Sequence, residues 1–355
     1  MQTVTIKTTT KEYDVVIGSG LLAQCGERIF SVLGKCRLAV ITDSNVEKHH
    51  LKTVMSSLEK AGMDCKSYTF PAGEEHKNMG TLSDILEFLA KERFSRADAV
   101  VALGGGVTGD MAGFAAAVYL RGIRYVQLPT SLLACVDSSV GGKTAIDLAG
   151  GKNLAGAFLQ PELVLCDVDA LKTLPQEEFT NGLCEAIKYG VLFDEELFCD
   201  FENLTETSLI SLIERCITHK GRVVANDEFE KGERKFLNLG HTIGHAVEKC
   251  SHYQIKHGYA VAIGLSMIAR AGEKLGITEK GTAERIELLF KKHNLPTDTV
   301  FSTEELLNVA LSDKKRDSDS ITLVVPKKIG ACILQTEPIE NLKKYIALGG
   351  EKDGI

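Results

Sequence analysis

The sequence lacks the features that mark membrane, secreted and nucleic-acid-binding proteins. No window approaches 18 uncharged apolar residues, so a membrane-spanning helix is not expected. The first 20 residues have no apolar signal-peptide core and alternate like a β-strand. The ten cysteines include no C-x-x-C pair, which favours free thiols in the cytoplasm over disulfides or a cysteine zinc site. The net charge of −7 argues against nucleic acid as the main partner.

The residues that are present indicate two domains. A chain of 355 residues exceeds the usual size of one hydrophobic core. In its first part, short β-branched runs alternate with helical patterns, which predicts βαβ units and a mostly parallel sheet. The predicted strands cover residues 37–45, 66–70, 97–106, 125–131 and 163–168, and the predicted helices cover residues 51–62 and 79–94.

The second part has mainly helical periodicity. Strand patterns fade after about residue 172, and one late strand pair follows, over residues 320–336. We therefore predict an α/β domain over residues 1–172 and a mainly helical domain over residues 173–355.

A glycine-rich turn follows the third predicted strand of the alternating region. Gly104, Gly106 and Gly109 fit G-x-G-x-x-G, a pattern that lets a phosphate approach the start of a helix. A tight turn without a ligand is equally compatible with this pattern. The usual fingerprint lies in the first βα unit with an acid ~20 residues later. Here position 129 is Pro, and Asp43 at the end of an earlier strand is the better candidate for a ribose contact.

The segment over residues 121–153 is basic within an acidic chain. It contains four lysines and arginines against two aspartates, with two Gly-Gly pairs and several hydroxyl groups. Backbone N–H groups and ammonium groups in such a segment suit an anionic ligand. A solvated loop is the alternative, but the run PTSLLACVDSSVGG is too apolar for an ordinary one.

Four of the nine histidines lie within residues 238–259. His241 and His245 are four residues apart, on one face of a predicted helix, as in H-E-x-x-H zinc sites. Thr242 stands where that motif has its glutamate. Spacing alone therefore favours a metal site of His241, His245 and an unidentified acid. Glu185 and Lys188 share a helix face, and their spacing alone favours a surface ion pair.

Six long motifs together resemble the 3-dehydroquinate synthase family, in the right order over roughly residues 13–330. The motifs are ALGGGVTGDMAGF, RGIRYVQLPTSLLACVDSSVGGKTAID, GGKNLAGAFLQP, GLCEAIKYG, LNLGHTIGHAVE and KHGYAVAIG.

The resemblance implies both an architecture and an activity. It implies a Rossmann-like NAD-binding α/β domain followed by a mainly α-helical metal- and substrate-binding domain. The implied reaction is a phosphate-eliminating cyclisation of 3-deoxy-D-arabino-heptulosonate 7-phosphate to 3-dehydroquinate in the shikimate pathway. NAD, one divalent metal (Zn²⁺ or Co²⁺), a small anionic sugar-acid phosphate as substrate and a homodimer are implied as well.

The resemblance also implies the site residues. The implied metal ligands are Glu185, His241 and His257. The implied NAD contacts are Asp43, Asn45, Glu74, Lys77, Gly105, Gly106, Val107, Asp110, Thr130, Ser131, Asp137, Lys143, Lys152 and Thr173. The implied substrate-site groups are Arg121, Asp137, Lys143, Lys152, Asn153, Lys188, Lys220, Glu230, Arg234, Asn238, His245 and Lys314, with Lys315 as the alternative to Lys314. No role is implied for His49, His50, His76, His219, His252 and His293.

Three other classes of protein compete with this interpretation. Another sugar-phosphate cyclase would use the same NAD and metal groups, but it tends to change the residues that hold the substrate carboxylate and phosphate. A polyol or glycerol-phosphate dehydrogenase would share the glycine loop but not the cationic segment. A non-enzymatic binding protein is disfavoured, because burying a dozen unpaired polar groups in apolar helices is costly.

Overall fold

The chain folds into two compact units. The computed structural model describes residues 1–205, 208–314 and 319–351, without the side chains of residues 312–314. The first unit is Met1–Phe179 with Thr207–Phe229, and the second is Thr180–Glu206 with Glu230–Ile355. The predicted order of an α/β region followed by a mainly helical region is confirmed.

A seven-stranded sheet forms the centre of the first unit. Its order is β1-β2-β9-β6-β5-β3-β4, with β1 antiparallel to β2 and every other neighbouring pair parallel. The strands of the chain are β1 (Gln2–Lys7), β2 (Glu12–Gly18), β3 (Arg37–Asp43), β4 (Asp64–Phe70), β5 (Ala99–Gly104), β6 (Arg124–Pro129), β7 (Lys143–Leu148), β8 (Gly151–Phe158), β9 (Leu163–Asp167), β10 (Ser320–Lys328) and β11 (Ala331–Pro338).

The helices cover both faces of this sheet and build most of the second unit. They are α1 (Cys25–Leu33), α2 (Lys52–Lys60), α3 (Met79–Lys91), α4 (Gly106–Val118), α5 (Gln176–Phe193), α6 (Glu195–Asp200), α7 (Leu209–Asn226), α8 (His241–Cys250), α9 (His257–Lys274), α10 (Thr282–Lys292), α11 (Thr303–Lys314) and α12 (Leu342–Gly350).

The central strands are buried on both faces, which explains their continuous apolar runs. In β3, Leu38 and Val40 face the core formed with α1 and α2, whereas Ala39 and Ile41 face the core formed with α3 and α4. Successive side chains of a strand point to opposite faces, so both apolar cores of the unit share the same strands.

The unit boundaries differ from the predicted single boundary at residue 172. The first unit continues to Phe179, and α7 also belongs to it. The reason lies in tertiary packing. Helix α7 packs against β1, where Gly221 lies beside Ile6, and its buried side chains extend the first unit's core. Helical periodicity predicts that such a face is buried but not what it packs against.

The basic segment over residues 121–153 is also more ordered than a glycine-rich loop. Strands β7 and β8 pair as an antiparallel hairpin, in which Ile146 reaches the apolar core beside α4. Residues 134–138 form a helical turn.

The second unit is built around α9, which packs against α8, α10, α12 and β10. The hairpin β10–β11 confirms the predicted late strand pair, and its turn contains Gly330 with φ +82°. No helix in the described ranges is long and apolar enough to cross a membrane.

Candidate functional site

Three side chains from three helices of the second unit meet in one group. Glu185 lies in the middle of α5, and His241 and His257 are the first residues of α8 and α9. The backbones of α8 and α9 approach closely, since a Cβ atom on Gly264 would lie 2.1 Å from the carbonyl oxygen of Gly240. This approach leaves the rings of His241 and His257 with centroids 5.1 Å apart.

The ligand atoms of this group have the spacing of a metal centre. The Nε2 atoms of His241 and His257 lie 3.6 Å and 3.4 Å from Oε1 of Glu185. Ligands ~2.1 Å from a tetrahedral zinc ion are separated from one another by roughly 3.4 Å. Oε1 of Glu185 is buried and makes no hydrogen bond within the described part of the chain. A cation among the three atoms would satisfy it, so this donor set fits a divalent metal.

The Nδ1 atom of each imidazole already lies beside a hydrogen-bond acceptor. Nδ1 of His241 lies 3.0 Å from the carbonyl oxygen of Leu239, and Nδ1 of His257 lies 3.2 Å from Oε2 of Glu248. An acceptor at Nδ1 holds the proton there and leaves the Nε2 lone pair for a metal. The two acceptors therefore orient both rings towards Glu185.

Lys188 controls the charge of the group. Its ammonium nitrogen pairs with Oε2 of Glu185 one helical turn away and donates to the carbonyl oxygen of Leu237 at 2.7 Å. Burial opposes ionisation of Glu185, but Lys188, His241 and His257 outweigh it and hold the pKa of this carboxyl well below its ordinary range. The interpretation of Glu185 and Lys188 as a surface pair is therefore wrong, because their side chains are 0% and 1% exposed.

The two histidines of the group differ in their protonation. Burial and the nearby Lys188 charge lower the pKa of His241 to about 3, so this imidazole is neutral. Burial acts to lower the pKa of His257 as well, but its contacts with Glu185 and Glu248 outweigh burial and raise the pKa to about 10. The proton on His257 occupies the place that a cation would take.

His245 lies beside the group, and His252 lies apart from it. The ring of His245 is 5.3 Å from that of His241 and 6.0 Å from that of His257, centroid to centroid. The two nitrogens that approach Oε1 of Glu185 belong to His241 and His257, not to the His241–His245 pair that spacing favoured. His252 is exposed in the loop after α8.

Other predicted substrate-site residues of the second unit lie just before α8. The amide of Asn238 donates to Oε1 of Glu230 at 3.2 Å, and Arg234 is only 2% exposed. Glu230 has a positive φ of +60°, a conformation that is strained for a residue other than glycine. Lys314 ends α11, but its side chain lies outside the described residues, as does the whole of Lys315.

In the first unit, the glycine-rich turn joins β5 to α4. The helix begins at Gly106, so the turn is shorter than the motif. The carbonyl of Gly104 accepts from the backbone N–H of Thr130 at 3.0 Å, which ties the turn to the end of β6. The hydroxyl of Thr108 donates to Oδ2 of Asp43 at 3.1 Å. These groups meet at the carboxyl edge of the sheet, where parallel sheets bind ligands.

A network of charges lies at the same edge. The Lys77 ammonium contacts Oδ2 of Asp110 at 2.6 Å and donates to Oδ1 of Asn153 at 2.6 Å. Burial acts to lower the pKa of Lys77, but the charges of Asp110 and Glu74 outweigh it and raise the pKa. Lys152 lies 3.6 Å from Glu74. The structure thus brings predicted NAD contacts and predicted substrate groups of this unit together.

An ion pair between two predicted site residues links α7 to the helical turn that follows β6. The Lys220 ammonium lies 2.8 Å from Oδ1 of Asp137 and donates to the backbone carbonyl of the same residue at 2.5 Å. The Ser131 hydroxyl accepts from the backbone N–H of Ala134 at 3.3 Å in the same turn. Lys220 of α7 therefore lies with the predicted site residues of the first unit, and the others of these come from residues 1–179.

Four other predicted residues of this unit have the following positions. Arg121 is exposed beyond the C-terminal end of α4, and 13 residues of helix separate it from the glycine turn. A helix of that length spans ~20 Å. Val107 is half-buried in the first turn of α4, Asn45 follows Asp43, and Lys143 is exposed at the start of β7.

Sequence reasoning missed three residues that hold predicted site groups. Oδ1 of Asp147 accepts from the backbone N–H of Asn153 at 2.7 Å, and Nε2 of His50 lies 2.8 Å from the Thr173 hydroxyl. The third is Glu248. It follows His241 by seven residues, so the helical period already places both on one face of α8.

Comparison with known proteins gives a consistent family assignment for the whole chain. The 3-dehydroquinate synthase N-terminal family matches residues 67–181, and the 3-dehydroquinate synthase C-terminal family matches residues 182–316. A 3-dehydroquinate synthase of Clostridium acetobutylicum is 41% identical over 353 residues, covering 98% of this chain and 99% of the relative. One of Caulobacter vibrioides is 44% identical over 346 residues, covering 93% and 94%.

Solved structures share the two-part architecture. A 2-deoxy-scyllo-inosose synthase, complexed with carbaglucose-6-phosphate, NAD⁺ and Co²⁺, has a TM-score of 0.88 at 26% identity and covers 97% of this chain and 99% of its own. A probable glycerol dehydrogenase from Sinorhizobium meliloti shares the fold, with a TM-score of 0.60 at 13% identity over 95% of this chain and 96% of its own.

Proposed function

This chain belongs to the 3-dehydroquinate synthase family, and we propose that it converts 3-deoxy-D-arabino-heptulosonate 7-phosphate to 3-dehydroquinate and inorganic phosphate. The observation that carries the proposal is the group of Glu185, His241 and His257. Its buried carboxylate oxygen faces two imidazole nitrogens at the separations of a tetrahedral metal centre. A family member with such a centre is equipped for the family's reaction.

The metal of this proposal is one Zn²⁺ or Co²⁺ ion, held by Glu185, His241 and His257. When bound, it would supply Lewis acidity to hydroxyl oxygens of the substrate. Three protein ligands leave coordination positions open, as catalytic metal centres require. The Co²⁺ in the inosose synthase complex is consistent with this choice of ion.

The nucleotide of this proposal is NAD, held by the first unit. When bound, it would accept a hydride and return it within each turnover, so no NADH would accumulate. The glycine turn at the start of α4 offers backbone N–H groups to its phosphates, and Asp43 lies beside that turn to accept from a ribose hydroxyl. The other groups assigned to NAD are Asn45, Glu74, Lys77, Gly105, Gly106, Val107, Asp110, Thr130, Ser131, Asp137, Lys143, Lys152 and Thr173.

The substrate carries a carboxylate and a phosphate, so cationic side chains must bind it although the protein is acidic. We assign this role to Lys152 and Lys220 in the first unit and to Lys188 and Arg234 in the second. Lys188, Lys220 and Arg234 are almost fully buried, and a buried cation binds an anion more strongly than an exposed one does. The remaining assigned substrate groups are Arg121, Asp137, Lys143, Asn153, Glu230, Asn238, His245 and Lys314.

One assay tests the reaction. The full chain, loaded with Zn²⁺ or Co²⁺, is incubated with the heptulosonate phosphate and a catalytic amount of NAD. We expect one phosphate released per substrate consumed, and enone absorbance when a dehydroquinase is added. Protein treated with a chelator, and then restored with metal, is the matched control. We expect it to lose the activity and to regain it.

Two outcomes of this assay would contradict the proposal. Accumulation of NADH in proportion to the substrate consumed would identify a dehydrogenase. Turnover of sedoheptulose 7-phosphate in place of the heptulosonate phosphate would identify a sugar-phosphate cyclase of the valiolone class.

We also propose that the enzyme is a cytoplasmic homodimer. All ten cysteines are free thiols, which suits a reducing compartment, and the dimer follows from the family resemblance alone. Sedimentation equilibrium of the purified full chain measures the dimer directly.

A further inference from the structure

We propose that Glu248 is a positioning residue for the metal centre, which holds His257 so that its Nε2 atom binds the cation. This inference rests on the metal assignment of the proposed function and adds a residue to it. Oε2 of Glu248 lies 3.2 Å from Nδ1 of His257, and Nε2 of the same ring lies 3.4 Å from Oε1 of Glu185. The ring thus joins two carboxylates, one on each side.

The chemistry of imidazole gives the two sides different roles. A neutral imidazole carries one N–H, and a carboxylate at Nδ1 fixes that N–H there. Nε2 then keeps its lone pair and points at the proposed cation. A carboxylate partner also makes the imidazole a more basic ligand, which strengthens its bond to a metal.

Glu248 also shapes the backbone that leads to His257. Its carbonyl oxygen accepts from the backbone N–H of Tyr253 at 2.7 Å and from the Ser251 hydroxyl at 2.8 Å. The Ser251 hydroxyl in turn accepts from the backbone N–H of Ile255 at 3.2 Å. The loop between α8 and α9 is therefore tied to the same residue whose side chain orients His257.

The two imidazole ligands differ in a way that makes Glu248 testable. His241 is oriented by the carbonyl oxygen of Leu239, a backbone group that no substitution removes. His257 is oriented by a side chain that is only 3% exposed and can be replaced. Substitution of Glu248 therefore changes one ligand of the proposed centre and leaves the other two in place.

The test measures metal affinity, not only activity. Full-length parent, Glu248→Ala and Glu248→Gln proteins are stripped of metal, and their Zn²⁺ affinity is measured by competition with a chromophoric chelator. We expect Glu248→Ala to bind Zn²⁺ roughly 10- to 100-fold more weakly, the usual effect of losing such a partner. Glu248→Gln keeps an acceptor for the N–H but not the charge, so a smaller loss is expected. Glu284→Gln, an exposed carboxylate on α10, is the matched control and is expected to match the parent.

A spectroscopic readout separates positioning from general damage. The visible absorption of bound Co²⁺ reports on ligand geometry, and we expect it to change in Glu248→Ala but not in Glu284→Gln. Circular dichroism identifies any variant that does not fold. In a His257→Ala background, Glu248→Gln should cause no further loss of affinity, because the ring through which it acts is absent.

Several results would overturn the inference. The first is a Zn²⁺ affinity within twofold of the parent in both folded Glu248 variants, together with an unchanged Co²⁺ spectrum. The second is an equal loss of Zn²⁺ affinity from Glu248→Gln with and without His257. The third is a parent protein that binds no Zn²⁺. A parent that binds Zn²⁺ but releases no phosphate from the heptulosonate phosphate would contradict the proposed function and leave the role of Glu248 standing.

Discussion

Glu185 in the second unit and Lys77 in the first are both buried ionised side chains, and they are balanced in different ways. Lys77 lies within 2.6 Å of Oδ2 of Asp110 and of Oδ1 of Asn153, so its charge is paired and two of its three N–H donors have acceptors inside the protein. Glu185 pairs with Lys188 through one oxygen, while the other oxygen faces two imidazoles and makes no hydrogen bond among the described residues.

This difference indicates what each unit needs from a ligand. The charges around Lys77 are paired inside the protein, so an anionic ligand there must compete with internal pairs such as Lys152 with Glu74. The group around Glu185 has an acceptor atom that makes no hydrogen bond among the described residues, and a metal ion bound there would replace the proton on His257. We therefore expect the second unit to be stabilised by a metal and the first to be nearly indifferent to it.

The largest expected effect comes from removing the charge of Glu185. Glu185→Gln leaves the ammonium of Lys188 buried beside a neutral amide, and breaking a buried pair in this way costs ~3–5 kcal/mol of stability. It also removes one of three proposed ligands. We expect the metal-free variant to unfold at much lower urea concentration than the metal-free parent, and added Zn²⁺ to stabilise the parent but not the variant.

Two control variants test whether the effect is specific to Glu185. His245→Ala should keep the stabilisation by Zn²⁺, because His245 is not one of the three proposed ligands. Glu195→Gln breaks a half-exposed pair with Arg285 and should cost no more than ~1 kcal/mol. Equal stabilisation of the parent and Glu185→Gln by Zn²⁺ would show that the metal binds elsewhere.

A smaller loss of stability is expected when a buried charge of the first unit is removed. Lys77→Met removes the cation between Asp110 and Asn153 and should cost ~2–4 kcal/mol, since Lys77 is 5% exposed but Asp110 is partly solvated. Urea unfolding with and without Zn²⁺ should give the same loss. Lys7→Met, in an exposed pair with Glu12, is the control and should change stability by less than ~1 kcal/mol. A loss that depends on Zn²⁺ would contradict the expectation that the metal does not stabilise the Lys77 network.

Most of the sheet could be predicted from the sequence because burial on both faces leaves a local signal. The strand β3 has five fully buried residues in succession, and a run of that kind between turn residues predicts a central strand. Helix α7 was predicted as a helix but assigned to the wrong unit. Its apolar face does not specify a partner, and its contact with β1 joins residues about 200 positions apart.

The metal group shows the same division between local and distant information. His241 and His245 are neighbours on a helix, so spacing selected them, whereas His257 and Glu185 come from other helices. Only the family resemblance suggested that set. Glu248 had a local signal in its seven-residue spacing from His241, but the carbonyl of Leu239 had none, because every residue carries a carbonyl.

The smallest expected effect concerns a third kind of buried charge, which neutral donors balance. Glu228 belongs to the first unit, and its carboxylate accepts from the Thr9 and Thr10 hydroxyls and from the Gln160 amide at 2.9 Å. Burial acts to raise the pKa of Glu228, but these hydrogen bonds outweigh it and lower the pKa to about 2 from an ordinary value of 4.5. Because the folded pKa is depressed, the stabilisation is complete above about pH 4.5 and is lost as the pH falls towards 2.

Glu228→Gln tests this dependence. At pH 7 we expect the variant to be less stable than the parent by ~1–3 kcal/mol, and the difference should shrink steadily as urea unfolding is repeated between pH 5 and pH 3. Glu12→Gln replaces a carboxylate that is 59% exposed and should show no comparable trend. A difference between parent and Glu228→Gln that stays constant over this range would mean that shape, not charge, is what the threonines and Gln160 recognise. In that case Glu228 would not belong with Glu185 and Lys77 among the charges that the fold balances.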